Sequence, residues 1–321
     1  MVSNTMSSGV NYGSLYWHLD SQYTTTSVLQ RDFELFKNSG ITLIVLPIHW
    51  VYLERTRGIY NSTYMNDIIR VCKLAKDYKM SVVFDLHTLM HDNSYTIPTW
   101  VSPRKFQTLF DDATVRQAWL NMWTYVMTQL SGIDNIMAWQ IMNEPTIASW
   151  ALSCTIDEFV KLCQDTKNII RQYSSKPVSI RFAGDELIVA FKSDTRLITL
   201  CDFGSENWYE AYDTQTQLKN VLALWKGKQI MISEWGLNTD NDVTQLSKFK
   251  EYLNLFKSLN VTWSAVWLWR SDSNLANNPA TIGKGYIIVK DTTGTPRPAF
   301  QAIVDSNLSS GIRSSGTILY Q

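Results

Sequence analysis

The sequence predicts an α/β chain closed into a (β/α)8 barrel of the TIM type. Three observations predict it: eight apolar runs of strand length recur along the 321 residues, segments with helical spacing lie between them, and two of the runs end abruptly in a glutamate. Alternating strand and helix is the pattern of a parallel sheet with crossover helices, and eight such units fit a closed barrel. An open doubly wound sheet is the alternative, but no glycine-rich phosphate loop follows the first strand.

In order, strands are expected at Gly9 to Tyr12, Ile41 to Pro47, Ser81 to Leu86, Ile136 to Met142, Val178 to Phe182, Leu197 to Phe203, Gln229 to Ser233 and Val261 to Trp269. In the second connection Tyr64, Ile68, Val71, Cys72, Ala75 and Tyr78 recur at helical spacing. In the fourth, Phe159, Leu162, Cys163, Thr166, Ile169 and Ile170 do the same. Two connections are longer than a barrel needs: His87 to Asp111, with Pro98, Trp100 and Pro103, and Ser271 to Thr295, mostly polar with Gly283 and Gly285. They follow the third and eighth strands, rise over the active face and read as walls of a substrate cleft. A single catalytic barrel is expected over residues 1–305, with 306–321 as a peripheral tail.

Composition narrows the function. With 45% hydrophobic residues a large core can be buried, and 29 Lys and Arg balance 29 Asp and Glu. No long basic run offers the counterion release on which nucleic-acid binding depends, so neither nucleic acid nor an anionic membrane is an expected partner. No apolar stretch approaches the ~20 residues that cross a bilayer, and Met1-Val2-Ser3-Asn4 lacks the basic and apolar regions of a secretory signal. A soluble protein is expected, extracellular if this is a processed form; oligomeric state has no signature here. Cys72, Cys154, Cys163 and Cys201 form no C-x-x-C pair and read as buried thiols or at most one disulfide. All four histidines, His18, His49, His87 and His91, lie in the first third; His87 and His91 are four apart but in a loop, so no metal and no cofactor is expected.

The two glutamates stand in Trp139-Gln140-Ile141-Met142-Asn143-Glu144-Pro145 and Ile230-Met231-Ile232-Ser233-Glu234-Trp235-Gly236. A carboxylate costs free energy wherever it leaves water, so a Glu placed directly after an apolar run needs a reason. Solvent at a strand end accounts for either one alone. Asn143 before and Pro145 after the first, with Ser233 and Trp235-Gly236 framing the second, point instead to a pair. Two carboxylates delivered at strand ends are the minimal equipment for cleaving a glycosidic bond. Tryptophan adds to this: of thirteen, Trp17, Trp50, Trp100, Trp208, Trp235, Trp267 and Trp269 fall near strand ends or the loops above them. Indole planes there would stack on the C–H faces of sugars and offer an N–H to a hydroxyl. Trp119, Trp123, Trp139 and Trp225 are assigned to the core.

With these residues in this order, the chain resembles the retaining glycoside hydrolases of clan A, and within it family 5, which contains cellulases and mannanases. The likeness runs through Trp50-Val51-Tyr52-Leu53-Glu54 and Arg57-Gly58-Ile59-Tyr60, Phe84-Asp85-Leu86-His87, Asn143-Glu144-Pro145, Asp202-Phe203-Gly204-Ser205 with Tyr209, Ser233-Glu234-Trp235-Gly236, and Trp267. The resemblance implies that Glu144 is the acid/base and Glu234 the nucleophile that forms a glycosyl-enzyme. Retention requires their carboxyl groups to lie ~5 to 5.5 Å apart. The resting proton belongs on Glu144, so burial and the charge of Glu234 should raise its pKa.

The resemblance further implies that Asn143 donates to the sugar 2-hydroxyl, that Tyr209 donates to the nucleophile and that His87 lines the subsite of the reacting sugar. Two positions depart from the family: Val45 stands where it carries Arg, and Asn207 where it carries His. Arg181 or Arg270 could replace the charge, and Asn207 can still donate through its amide. The implied activity is cleavage of an oligo- or polysaccharide, as an endo-β-1,4-glucanase or β-mannanase. The alternatives are an exo-acting β-glycosidase of the same clan and a catalytically impaired carbohydrate-binding barrel. A serine or metal hydrolase is disfavoured, since no Gly-x-Ser-x-Gly turn is present and no histidine lies beyond position 91.

Overall fold

Eight parallel strands pair in chain order and the last pairs with the first, closing the sheet on itself. The computed structural model describes residues 6–12, 25–86, 97–146, 154–269, 286–289 and 294–310. The elements run β1 (Ser7–Asn11), α1 (Thr26–Asn38), β2 (Leu43–Ile48), α2 (Trp50–Leu53), α3 (Ser62–Asp77), β3 (Ser81–Leu86), α4 (Thr108–Asp111), α5 (Ala113–Leu130), β4 (Ile136–Asn143), α6 (Ile156–Tyr173) and β5 (Val178–Ala183). They continue with α7 (Glu186–Val189), α8 (Thr195–Leu200), β6 (Gly204–Trp208), α9 (Gln215–Leu224), β7 (Ile230–Trp235), α10 (Asp242–Ser258), β8 (Trp263–Val266) and a C-terminal helix, Ala299–Ser309.

Local chemistry starts the long helices where the sequence offers a cap. Thr155 and Glu158 form a reciprocal capping box at α6, Thr214 and Gln217 another at α9, and the side chains of Asn61, Asp112 and Asn241 accept backbone N–H groups at α3, α5 and α10. Each such cap contributes about 1 kcal/mol.

Strand alternation sorts side chains into two regions. Ile44, Leu46 and Ile48 join the apolar shell between barrel and helices, whereas Leu43 and Val45 face inward with Val83, Met137, Ala138, Phe203, Met231 and Ala265. This inner cluster plugs the lower barrel. Gly9 is needed there, because a Cβ on it would lie 2.3 Å from the Leu43 carbonyl oxygen, where β1 and β2 converge. Above the plug lies a polar layer in which Gln140 Nε2 donates to Ser205 Oγ and Ser233 Oγ, both at 2.7 Å.

Two expectations are corrected. The sixth strand is not Leu197 to Phe203: residues 195–200 are helical, begun by Asp194, whose side chain accepts the Arg196 N–H at 2.8 Å. The strand follows at Gly204–Trp208, where Ser205, Glu206 and Asn207 give it too little apolar character to read as a strand. The C-terminal helix also runs past the expected boundary at 305. Its Asn307 is buried, accepting from Ser8 N at 2.8 Å and donating to Ser8 O at 2.9 Å, so it is tied to β1 and is not peripheral. All four cysteines are free thiols. Among the described residues no helix is long and apolar enough to cross a membrane.

Candidate active site

The site begins where β4 stops being a strand. Asn143 ends it, and Glu144 takes φ +46°, a left-handed conformation that costs a non-glycine residue about 1–2 kcal/mol. The Glu144 N–H donates to Arg181 O at 2.7 Å, so the turn is anchored to β5. Consecutive strand residues ordinarily face opposite sides, but here both side chains reach one partner. Asn207 Nδ2 donates to Glu144 Oε1 at 2.5 Å and lies 3.2 Å from Asn143 Oδ1.

Glu234 is presented by β7, whose residue registers with Asn207 across the β6 ladder. Tyr209 Oη donates to its Oε2 at 2.8 Å, and Arg181 Nη2 forms an ion pair with its Oε1. Arg181 is fully buried and its guanidinium is used on every nitrogen. Nη1 donates to Asp85 Oδ2 at 2.8 Å, Nε to Asn207 Oδ1 at 2.7 Å, and Nη2 also reaches Asn11 Oδ1 and Ser233 O at 3.2 and 3.1 Å. A planar fork of five N–H donors suits this convergence where an ammonium would not. Glu234, Arg181, Asn207 and Glu144 thus form one hydrogen-bonded chain across the barrel mouth.

The surroundings set protonation. Burial first, then the charge of Glu234, pushes the Glu144 carboxyl well above the ordinary carboxylate range, against the lowering effect of the Asn207 amide and Arg181. Burial and the charge of Glu234 likewise keep the Tyr209 phenol protonated, so that it donates. Burial works against the Arg181 charge, but Glu234 and Asp85 outweigh it and raise its pKa. Glu144 and Glu234 retain 6% and 5% exposure, whereas Arg181 has none; the two carboxyls are reachable and their partner is not.

Of the residues singled out in the sequence, Glu144, Glu234, Asn143, Asn207, Tyr209 and Arg181 meet in this one network. Val45 lies in the apolar plug, and the guanidinium comes from β5. Trp17, His87 and Arg270 lie outside the described residues. The tryptophans require correction. Trp50, Trp208, Trp235 and Trp269 are at most 1% exposed and pack against Trp119, Tyr252, Phe249 and Phe36 respectively, so no sugar reaches them. Trp100 is half-buried and committed to the wall, its Nε1 donating to Glu54 O at 2.9 Å. Glu54 in turn accepts from Trp50 Nε1 at 2.6 Å and Gly58 N at 2.7 Å, which gives the stretch after β2 a structural purpose.

Trp267 alone of the described set sits partly exposed near the nucleophile strand, its carbonyl 2.7 Å from where a Cβ on Gly236 would lie. Sequence reasoning missed Asp85 and Asn11 as partners of Arg181, and the tyrosines beside Tyr209. Tyr286 and Tyr212 meet the Tyr209 ring edge-on at 5.2 and 6.4 Å, and Tyr212 is 74% exposed. A charged residue inside Ser81-Val82-Val83-Phe84-Asp85-Leu86 was the available signal for Asp85, since a buried charge demands a partner.

Comparisons with known proteins place the barrel among known families. The family model for cellulase, glycosyl hydrolase family 5, matches residues 4–184, which include Glu144 and Arg181. Among solved structures, a GH5_18 variant from Bifidobacterium longum subsp. longum ATCC 55813 in complex with Manb1-4GlcNAc superposes with a TM-score of 0.73 at 13% identity, over 95% of this chain and 78% of that one. The exo-beta-1,4-mannosidase Op5Man5 from Opitutaceae bacterium strain TAV5 gives 0.78 at 14% identity, over 96% of this chain and 60% of that one. XacCel5A in complex with cellopentaose gives 0.68 at 14% identity, over 94% and 99%. At these identities the likeness is one of fold. No curated protein sequence matches the chain. The family match spans more than half of the sequence, and the chain belongs to glycosyl hydrolase family 5.

Proposed function

We propose that this glycosidase hydrolyses β-1,4-linked glucan or mannan chains with retention of configuration. Glu144 protonates the leaving oxygen and later deprotonates water; Glu234 attacks the anomeric carbon. The observation that carries the reading is the pairing of one carboxyl whose pKa is driven well up, Glu144, with another held by Arg181 and Tyr209, Glu234. Two carboxyls in divergent environments divide into proton donor and nucleophile. Once Glu234 is esterified its charge is gone, the repulsion on Glu144 falls, and Glu144 ionises to serve as base.

Asn143 supports the same reading. Its Nδ2 is buried and makes no hydrogen bond among the described residues, although its Oδ1 is engaged by Asn207. A donor left open beside the two carboxyls fits the sugar 2-hydroxyl, a contact that strengthens as positive charge develops at the anomeric carbon. Arg181 and Asn207 supply donors where Val45 and the missing histidine do not, which argues against an impaired, binding-only barrel.

Internal cleavage of a long chain is the first reading; removal of terminal sugars is the second. Burial of Trp50, Trp208, Trp235 and Trp269 favours the second, since it strips the mouth of most of its expected sugar platforms. One superposed structure is an exo-beta-1,4-mannosidase and another holds cellopentaose, so the fold accommodates both an exo-acting enzyme and a bound five-sugar chain. Reducing-sugar release from mannan, cellulose, mixed-linkage glucan, xylan and chitosan, with products sized, tests both levels. Activity lost in Glu144→Gln and Glu234→Ala is expected; activity surviving either would overturn the assignment. Early products of intermediate length mark internal cleavage, and single sugars or disaccharides from the outset mark terminal cleavage.

A further inference from the structure

Beyond the C-terminal ends of β4 and β5, outside the network described above, a third glutamate is fully buried at the start of α7. Glu186 Oε1 accepts from the backbone N–H of Thr146 and from Thr146 Oγ1 at 2.6 Å, while Oε2 accepts from Ala183 N at 2.9 Å. Thr146 lies two residues beyond Glu144, and Ala183 two residues beyond Arg181. We propose that Glu186 is a positioning residue for Glu144, its carboxyl oxygens tying the ends of β4 and β5 together so that the left-handed turn at Glu144 is held.

A non-glycine residue at φ +46° persists only when its surroundings over-determine it, because such conformations cost about 1–3 kcal/mol. On the near side of the turn the restraint is the Glu144 N–H bond to Arg181 O. Pro145 has no N–H to offer, so the next backbone donor on the far side is Thr146, and Glu186 takes it together with the hydroxyl of the same residue. Both flanks of Glu144 are therefore fastened to β5 or its immediate continuation. Burying a carboxylate is costly where a serine or amide could accept a single bond, and three converging donors are what a carboxylate can serve and a hydroxyl cannot. Freed of that tie, the turn relaxes toward an ordinary extended conformation and moves the Glu144 carboxyl away from Asn207 and the glycosidic oxygen.

This rests on Glu144 being the acid/base, and leaving-group dependence separates the two claims. An activated aryl glycoside departs without protonation, whereas an unactivated one needs the acid. The kcat/KM values of a 2,4-dinitrophenyl and a phenyl β-glycoside, with the sugar the parent accepts, are measured for the parent, Glu144→Ala, Glu186→Ala and Thr146→Val. Glu144→Ala must lose far more on the phenyl substrate than on the dinitrophenyl one; equal losses there would refute the acid/base reading itself. Given that result, Glu186→Ala is expected to lose about tenfold or more on the phenyl substrate and less than about threefold on the activated one. Equal losses on both, or none, would overturn the positioning role. Should Glu186→Ala fail to fold, Thr146→Val removes one bond from the opposite side and carries the same test, with a smaller loss of the same selectivity expected and an equal loss on both substrates contradicting it.

Discussion

Arg181 Nε donates to Asn207 Oδ1 at 2.7 Å, and through that one contact the two candidate catalytic carboxyls share a common support. Arg181 holds Glu234 with its other end, and Asn207 holds Glu144 with its amide nitrogen. The two residues stand in for an arginine at position 45 and a histidine at position 207, so the guanidinium comes from β5 and an amide takes the histidine's place on β6.

Arg181→Lys should expose how much of this depends on the guanidinium fork. Lysine retains the charge but not the planar set of donors, so kcat/KM is expected to fall about 100-fold or more. Arg181→Ala should also cost about 3–5 kcal/mol of stability, because it leaves the fully buried Asp85 without its ion pair. Steady-state kinetics and urea unfolding check the two effects separately. A fully active lysine variant would show that charge alone suffices.

Asn207→Ala should shift the pH profile in a defined direction. The Asn207 amide lowers the Glu144 pKa, so its removal raises it further. In the proposed mechanism Glu144 is protonated in the first step, so the alkaline limb of kcat/KM should move to higher pH, with a lower maximum. An unmoved limb would mean that the titration belongs to another group.

Stability should also depend on pH, through carboxyls the chemistry does not use. Burial pushes Glu186 from its ordinary 4.5 up to about 7. Below pH 4.5 both folded and unfolded chains keep that proton; as pH rises toward 7 the unfolded chain loses it first, and the folded state forfeits about 3 kcal/mol by pH 7 and above. Glu206 adds in the same direction, its pKa raised well above the usual range by burial although Trp225 Nε1 donates to it at 2.6 Å. Urea unfolding at pH 5 and pH 8 should show the loss in the parent and a smaller one in Glu206→Gln. Identical losses in the two proteins would exclude Glu206 as a contributor.

The revised view of the aromatics separates core from surface. Trp235→Ala should destabilise by about 3–5 kcal/mol, as expected for a large residue removed from a packed core. Tyr212→Ala should leave the melting temperature within about 2 °C, as for an exposed side chain, and raise KM for longer oligosaccharides more than for a disaccharide. Thermal melts and a chain-length series of KM values make the comparison. A Tyr212 variant with unchanged KM at every length would remove that ring from the substrate path.

How much could be read from the chain follows from period two. Seven strands were legible as apolar runs, but β6 was hidden because two of its side chains serve polar partners, Ser205 in the barrel layer and Asn207 at the site. The same alternation explains two of the misplaced tryptophans, Trp208 and Trp235. Asn207 and Tyr209 point to the site, so Trp208 between them points to the helices; Glu234 points in, so Trp235 beside it points out. Nearness to a strand end does not distinguish the two faces of a strand. Arg181 stood out as a charge inside Val178-Ser179-Ile180-Arg181-Phe182-Ala183, but its partners come from β1, β3, β6 and β7 and only closure of the barrel brings them together. The left-handed turn at Glu144 had no local signal, since glutamate is not a residue that favours it.

The division of labour between Glu144 and Glu234 is tested most directly by trapping the covalent intermediate. An activated 2-deoxy-2-fluoro β-glycoside of the accepted sugar is incubated with the parent enzyme, which is then digested and mapped by mass spectrometry. One added glycosyl group is expected, located on Glu234 in the peptide that spans Ile230 to Gly236, while a label on Glu144 or on any other residue would contradict the assignment.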